Sequence, residues 1–274
     1  MPELPEVETI KRELQTLLTG KTIVRCRVMR PDIIGYPETR EFKRRIRNQV
    51  ITRIHRRAKY LLMDLAGGST LIFHLRLSGA LLVKTKGKIS RHARIVFLLN
   101  DGSNLIFDEP RVLGRAYLIN KDEQPHVLKG FHELSYEPIS PEFDLAYFAK
   151  NLGKRKAIIK SVLLDQKVCA GVGNIYSDEA LFRAGIRPFR RASRLKPAEI
   201  FKLLLALKDV LHLGIKHLGT SVSDYRRVNE QTGNFQKMLR VYAQEGKPCK
   251  VCGTPIVVKK IGNRGTRYCP KCQK

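Results

Sequence analysis

Residues 60–85 read YLLMDLAGGSTLIFHLRLSGALLVKT. Tyr60–Leu65, Thr70–Leu77 and Ala80–Thr85 are short apolar or alternating runs, and Ala66-Gly67-Gly68 is a hairpin-type connector between the first two. The pattern continues in both directions. Thr22–Met29 precedes it, and Ala93–Leu99 and Asn104–Phe107 follow it, joined by a second connector, Asn100-Asp101-Gly102. From Thr22 to Asn120 the sequence therefore predicts an antiparallel β-sandwich or barrel. Upstream, Glu3–Gly20 reads as a helix, with Val7, Ile10, Leu14 and Leu17 at helical spacing. Pro5 suits its first turn, Glu3, Glu6 and Glu8 favour the positive end of its dipole, and Gly20 stops it.

Downstream of the strands, Glu133–Glu142 carries Pro138 and Pro141 and reads as a hinge. Beyond it the period turns helical in Asp144–Leu152, Arg155–Asp165, Ile175–Ala184 and Pro197–Leu213. Lys167–Asn174 (KVCAGVGN) is a glycine-bearing connector, and Gly219–Phe235 is a loop-rich stretch. No internal repeat is visible. The expected class is α+β multidomain: 1–132, a helix plus β-sandwich; 133–143, a linker; 144–240, helical; 241–274, a cysteine-bearing tail.

The 274 residues hold 52 Lys+Arg against 25 Asp+Glu, a net charge of +27, and a 43% apolar share excludes a disordered basic tail. No run of roughly 18 apolar residues reads as a membrane span. The start, Met-Pro-Glu-Leu-Pro-Glu, is acidic and lacks the pattern of a signal peptide. The expectation is a soluble, cytoplasmic protein. A domain this basic repels itself, and a polyanion accounts for that charge, nucleic acid ahead of anionic membrane. Arg40–Lys59 has nine basic residues, Gly153–Lys160 reads GKRKAIIK, and Val241–Lys274 has eight basic residues against Glu245 alone. One such cluster would be an ordinary solvated face; three in one chain favour nucleic acid.

Four of the six cysteines fall as Cys249-x2-Cys252 and Cys269-x2-Cys272, with sixteen residues between the pairs. Two such knuckles present four thiolates to one tetrahedral zinc ion, and a full coordination sphere makes that zinc structural. Two disulfides are the weaker alternative without an export signal. Cys26 and Cys169 have apolar neighbours and read as buried core residues.

Initiator Met is normally removed before Pro, which would leave Pro2 as a secondary amine. An α-amine with pKa ~7.7–8.0 is roughly a tenth unprotonated at pH 7, whereas a lysine near ~10.4 is far below one per cent. A neutral amine attacks an aldehyde-like sugar carbon and forms an iminium, and Glu3 beside it can move a proton. Pro at position 2 is common, and a helix start explains Glu3 and Pro5 equally well.

The segments MPELPEVETI, HRRAKYLL, HLRLSG, GVGNIYSDEALF and CKVCG…NRGTRYCPKCQ, in this order and spacing, resemble the bacterial formamidopyrimidine-DNA glycosylases, a family that also includes endonuclease VIII. The resemblance covers nearly the whole chain. It implies an N-terminal helix with a β-sandwich, a helix–two-turns–helix domain and a C-terminal zinc finger hairpin. It also implies a bifunctional glycosylase/AP lyase that excises oxidised purines, 8-oxoguanine and formamidopyrimidines, from duplex DNA. Pro2 would be the nucleophile at C1′, Glu3 the general acid/base, and β- and δ-elimination would then cut the strand. Lys59 and Arg264 complete the catalytic set, each against phosphates near the lesion. Arg264 is suited to bidentate binding, whereas Lys59 alone would read as an exposed lysine between strands.

For DNA contact the resemblance implies Leu77, His92, Arg111, Leu113, Lys160 and Asn174. Asn174 opens a helix whose exposed N–H groups suit a phosphate, and it also reads simply as an N-cap. Glu6, Thr220, Ser221 and Tyr225 would line the pocket of the flipped base, with the loop Gly219–Tyr225 closing over it. The expected partner is double-stranded DNA with oxidised bases or abasic sites, bound by a nucleoid-associated monomer. The sequence departs from the family pattern where Leu77 and Leu113 replace the usual Met and Phe of the wedge that fills the gap in the duplex. Arg111 is kept, to bond the orphaned cytosine. Ala58 and Asn263 stand where Gly is commoner, with little effect expected. Two rivals stay open: an endonuclease VIII-like enzyme for oxidised pyrimidines, and a catalytically silent nucleic-acid-binding zinc protein. The long Gly219–Phe235 loop argues against the first, and the retention of Pro2 with Glu3 against the second.

Overall fold

Helix α1 (Leu4–Leu18) starts at Glu3, whose backbone N–H donates to the Glu6 carboxylate at 2.8 Å, and Pro5 lies in its first turn. Val7, Ile10, Leu14 and Leu18 form its buried stripe, at about 2 kcal/mol for each fully buried side chain. Thr19 leaves helical dihedrals, and Gly20 follows at φ 83°, a conformation glycine adopts without strain. The computed structural model describes residues 1–85, 87–120, 123, 128–222 and 225–274.

The strands are β1 (Thr22–Val28), β2 (Ile34–Tyr36), β3 (Gln49–Arg57), β4 (Tyr60–Leu65), β5 (Ser69–His74), β6 (Ala80–Lys84), β7 (Ala93–Leu99), β8 (Asn104–Asp108) and β9 (Arg115–Asn120). They hydrogen-bond in the order β2-β9-β5-β4-β3-β1-β7-β8-β6, antiparallel except for the β2–β9 pair. β1 pairs with β3 only at Thr22 and Ile23, shifts register before Arg25, and then runs along β7. That change of partner folds the order into two layers. Ile54, Leu61, Met63 and Phe73 from one layer and Ile95, Phe97, Leu105 and Phe107 from the other share one core with the α1 stripe. The opposite faces are partly covered too, by clusters around Leu62, Ile72 and Ile119 and around Leu82, Val96 and Ile106. Burial on both faces makes these strands read as continuous apolar runs.

Within the strand region two details differ from the sequence expectation. Helix α2 (Thr39–Ile46) interrupts the strands; it buries only Phe42 and Ile46, and its charged residues hide that narrow stripe. The strand expected to Leu77 ends at His74, because Arg76 takes φ 53° and Gly79 N–H closes a turn onto Leu75 O at 3.0 Å.

The chain divides into two compact units, Met1–His132 with Leu218–Asn234, and Glu133–His217 with Phe235–Lys274. The segment 218–234 lies outside the expected helical division because first-unit groups hold it. Glu13 accepts from Arg227 Nε at 2.5 Å, Asp108 pairs with Arg226, and Val83 N–H donates to Val228 O at 3.1 Å.

The second unit holds α3 (Leu145–Gly153), α4 (Ile159–Leu164), α5 (Asn174–Ala184), α6 (Pro197–Lys216) and the hairpin β10 (Val257–Ile261)–β11 (Arg264–Tyr268). Asp144 caps α3 by accepting from Tyr147 N–H at 2.7 Å. The helix expected over Arg155–Asp165 forms only from Ile159. Ahead of it, Ala157 O accepts from Ala192 N–H and Ile159 N–H donates to Arg190 O, so this backbone pairs laterally. Tyr176 stacks on Phe235 at 5.5 Å, and Gly214 leaves its ring room, since a Cβ there would lie 2.5 Å from it. Among the described residues no helix is long and apolar enough to cross a membrane.

Candidate functional site

In the first unit, Pro2 is buried and Glu3 and Glu6 are almost wholly so. The Glu6 carboxylate bridges two backbones: one oxygen accepts from Glu3 N–H and the other from Thr220 N–H, each at 2.8 Å. Lys59 lies in the β3–β4 turn and is buried, so the reading of an exposed lysine is corrected. That turn is tied to α1 by Arg56, which donates to Glu8 and to Ala58 O, both at 3.0 Å. Burial raises the Glu8 carboxyl, but bonds from Arg12 and Arg56 outweigh it and leave the group below its ordinary value. Ala58 adopts φ 51°, the left-handed region, at a cost of about 1 kcal/mol that glycine avoids. The substitution is therefore not neutral for the backbone beside Lys59.

The loop after α6 is anchored by the same groups. Thr220 is buried with its N–H on Glu6, and Ser221 Oγ donates to Tyr225 O at 3.0 Å and accepts from Gly233 N–H at 2.9 Å. Gly219 allows the approach, since a Cβ there would lie 2.9 Å from Glu6 Cγ. Tyr225 is buried in the same apolar cluster as Val7 and Ile10, and its hydroxyl donates to Leu218 O at 3.3 Å, beside Glu6. Burial, with the Glu6 and Glu13 charges, pushes that phenol well above its usual pKa. Ser223 and Asp224 of the expected closing loop lie outside the described residues.

At another edge of this unit Leu77 and Leu113 are 42% and 45% exposed, and Arg111 is exposed beside Leu113. Leu77 and Leu113 thus face solvent on two separate turns. Both turns meet on Glu109, which is fully buried and which the sequence reading passed over inside EPRVLG. His74 ends β5 just before the first turn. Its Nδ1 accepts from Arg76 N–H at 3.2 Å, and burial with the nearby Arg76 and Lys59 charges lowers it to about 3, so the ring is neutral. His92, half-buried, lines a cavity of about 310 Å³ with Ser78, Ser90, Asp108, Arg111 and Arg226.

In the second unit Lys160 is corrected from phosphate ligand to internal cation. It has no exposed surface, and its Nζ donates to Asn174 O at 3.0 Å, Ser177 Oγ at 2.7 Å and Asp178 Oδ1 at 2.5 Å. Asn174 is the first helical residue; the N-cap is Gly173. Its Nδ2 donates to Gly265 O at 2.9 Å, while Oδ1 is buried without a hydrogen-bond partner. The two acids of GNIYSDEA staple the tail to α5. Asp178 accepts from Arg267 N–H at 3.0 Å, and Glu179 accepts from the N–H groups of Arg240, Val241 and Tyr242 at 2.9–3.0 Å. Burial raises the Glu179 carboxyl, and three backbone donors partly offset it. The result holds Arg264, exposed at the tip of the β10–β11 hairpin, in fixed relation to the start of α5.

The four cysteine Sγ atoms of the tail lie within 4.8 Å of one another, with Cys249–Cys272 at 3.9 Å and Cys252–Cys269 at 3.4 Å. Zn–S bonds of about 2.3 Å in a tetrahedron require S···S near ~3.8 Å, so the cradle fits one zinc ion, whereas a disulfide needs about 2.05 Å. Cys26 and Cys169 are buried apart from it, and burial pushes Cys26 to about 12.

Residues 1–116 match the formamidopyrimidine-DNA glycosylase N-terminal domain, 134–226 its H2TH domain, and 246–274 the zinc finger found in FPG and IleRS. The formamidopyrimidine-DNA glycosylase of Pelotomaculum thermopropionicum is 46% identical over 275 residues, spanning 100% of this chain and 99% of the relative. That of Enterococcus faecalis is 43% identical, spanning 100% and 97%. Among solved structures, MutM (FPG) from Thermus thermophilus aligns with TM-score 0.89 and 36% identity, covering 99% of this chain and 98% of that one. A Lactococcus lactis FPG mutant in complex with Fapy-dG-containing DNA aligns with TM-score 0.93 and 34% identity, covering 100% of both. The L. lactis Fpg with abasic-site DNA gives 0.92 and 33%, covering 99% of both.

Proposed function

Because the chain belongs to the formamidopyrimidine-DNA glycosylase family, we propose that it excises oxidised purines from duplex DNA and cleaves the resulting abasic site. The observation that carries this reading is the burial of Pro2 with Glu3 at the start of α1, a desolvated pairing that DNA binding alone does not require. Relatives solved with Fapy-dG and abasic-site DNA support the substrate class.

Once Met1 is removed, the Pro2 nitrogen attacks C1′ of a nucleotide turned out of the stack. The C1′–base bond breaks and the base leaves with a proton. The sugar ring then opens as C1′–O4′ breaks, Glu3 protonates O4′, and an iminium joins Pro2 to C1′. Loss of a C2′ proton expels the 3′ phosphate, a second elimination expels the 5′ phosphate, and water frees Pro2. Lys59 and Arg264 serve as phosphate ligands, Arg264 bidentately. Asn174, at an α5 N-terminus that favours anions, is a third. Leu77, Arg111 and Leu113 enter the gap. Thr220 N–H, held by Glu6 here, faces the flipped base once released. Zinc, held by Cys249, Cys252, Cys269 and Cys272, supplies only structure, fixing the hairpin that carries Arg264. The proposed divisions are 1–132 for the catalytic sandwich, 133–143 for a linker, 144–240 for the helical DNA-binding region and 241–274 for the zinc finger, with 218–234 falling in the first compact unit, and the enzyme works as a monomer on the bacterial nucleoid.

The test is borohydride trapping on a duplex with 8-oxoguanine opposite cytosine and on an abasic-site duplex, after intact mass has established Met1 removal. A crosslink to both at Pro2 is expected. A crosslink to the abasic duplex alone would refute the purine assignment, and none to either would refute the chemistry.

A further inference from the structure

We infer that Glu109 is a positioning residue: one buried carboxylate sets the register of the two turns that carry Leu77, Arg111 and Leu113. The inference rests on the activity proposed above. Glu109 has no exposed surface, so it acts on DNA only through what it holds. Its Oε1 accepts from Ser78 Oγ–H and from Arg111 N–H at 3.1 Å, and its Oε2 from Gly114 N–H at 2.7 Å. Ser78 directly follows Leu77, while Arg111 and Gly114 bracket Leu113. Three donors from two separate turns thus converge on one group.

The backbone of Glu109 is fixed in turn. Its N–H donates to His92 O at 2.9 Å, and its carbonyl accepts from Arg94 Nε at 2.7 Å. The turns have no slack. A Cβ on Gly79 would lie 2.6 Å from Leu75 O, and one on Gly114 would lie 2.7 Å from the Phe107 ring and 2.8 Å from Glu109 Oε2. Val112, between Arg111 and Leu113, sits at φ 55°, a conformation that needs support from its surroundings. A carboxylate suits this place because both oxygens only accept. Glutamine has one acceptor oxygen, and in either orientation its NH₂ would meet a backbone N–H head-on, that of Arg111 or that of Gly114. Leu77 and Leu113 have no aromatic ring to stack on the exposed bases, so filling the gap depends on both leucines arriving together in fixed relation to Arg111.

The experiment measures single-turnover excision from the 8-oxoguanine duplex and cleavage of a duplex with a preformed abasic site. Wild type, Glu109→Gln, the pair Leu77→Ala/Leu113→Ala, and the triple variant are compared. For Glu109→Gln, excision falls tenfold or more. Abasic-site cleavage, which has no base to extrude, stays within threefold. In the Leu77→Ala/Leu113→Ala background Glu109→Gln adds clearly less than its loss in the wild-type background, the remainder being what it exerts through Arg111. Undiminished excision, equal losses in both activities, or additive losses in the triple variant would overturn the inference. If Glu109→Gln does not fold, Ser78→Ala removes one donor and leaves the carboxylate; a loss of about threefold confined to excision is expected, and no loss overturns it. A wild type inactive on both duplexes refutes the activity itself, and this inference with it.

Discussion

Replacing Lys160 with Met separates the two roles its position suggests. In the structure Nζ makes three bonds inside the second unit, the shortest to Asp178, and both side chains are wholly buried. Lys160→Met keeps the volume and leaves Asp178 as a buried carboxylate with one remaining donor, Arg267 N–H. Breaking one side of a buried pair costs about 3–5 kcal/mol, because the stranded charge keeps its desolvation penalty. For a unit of this size that is a drop of roughly 10–20 °C in Tm. Lys160→Met/Asp178→Asn should recover most of the loss, because the amide is neutral and its oxygen still accepts from Arg267. The chain has no Trp, so unfolding is followed by circular dichroism at 222 nm, where α3–α6 contribute strongly. DNA affinity against salt is measured alongside. A variant that keeps its Tm, but whose log–log salt slope falls by about one, would show Lys160 on a phosphate and refute the internal role.

Three further outcomes are expected. His74 is held neutral with its folded pKa at about 3, below an unfolded value near ~6.5, so its contribution is complete above ~6.5 and is lost as pH falls from there towards 3. Between pH 7.5 and 5 this amounts to about 2 kcal/mol, absent in His74→Gln; parallel urea-denaturation curves at the two pH values, or an imidazole titrating near 6.5 by NMR, would refute it. Cys249→Ser should release zinc, measured by a chelating dye, and weaken abasic-duplex binding tenfold or more, since Arg264 loses its frame and a charge-assisted phosphate bond is worth about 1.5–3 kcal/mol. Unchanged affinity would contradict that architecture. Glu3→Gln should cut excision by about 10²–10⁴ with abasic-duplex affinity retained, and undiminished excision would remove Glu3 from the chemistry.

The glycine connectors, the helical and two-residue periods and the CxxC pairs are local patterns, and they were sufficient to predict helix α1, the β-sandwich and the cysteine cluster. The proposed catalytic pair, Pro2 with Glu3, came from the resemblance of the motifs taken together, because on its own the pair reads equally well as a helix start. What needed the tertiary structure was the partner of each charge. Lys160 looks like any basic residue in GKRKAIIK until Asp178, eighteen residues away, closes on it in a buried setting. Tyr225 looks like a loop residue until Glu6 and Leu218 place it in the core. Helix α2 hides because only two of its residues are buried, too few to show a period against its charges. Glu109 stands two residues before Arg111, yet the meaning of one acid depends on Ser78, thirty-one residues before it. Periodicity records which face of an element is buried. It does not record which distant donor a buried carboxylate meets, and in a low-dielectric interior that pairing decides whether a charge binds DNA or holds the protein together.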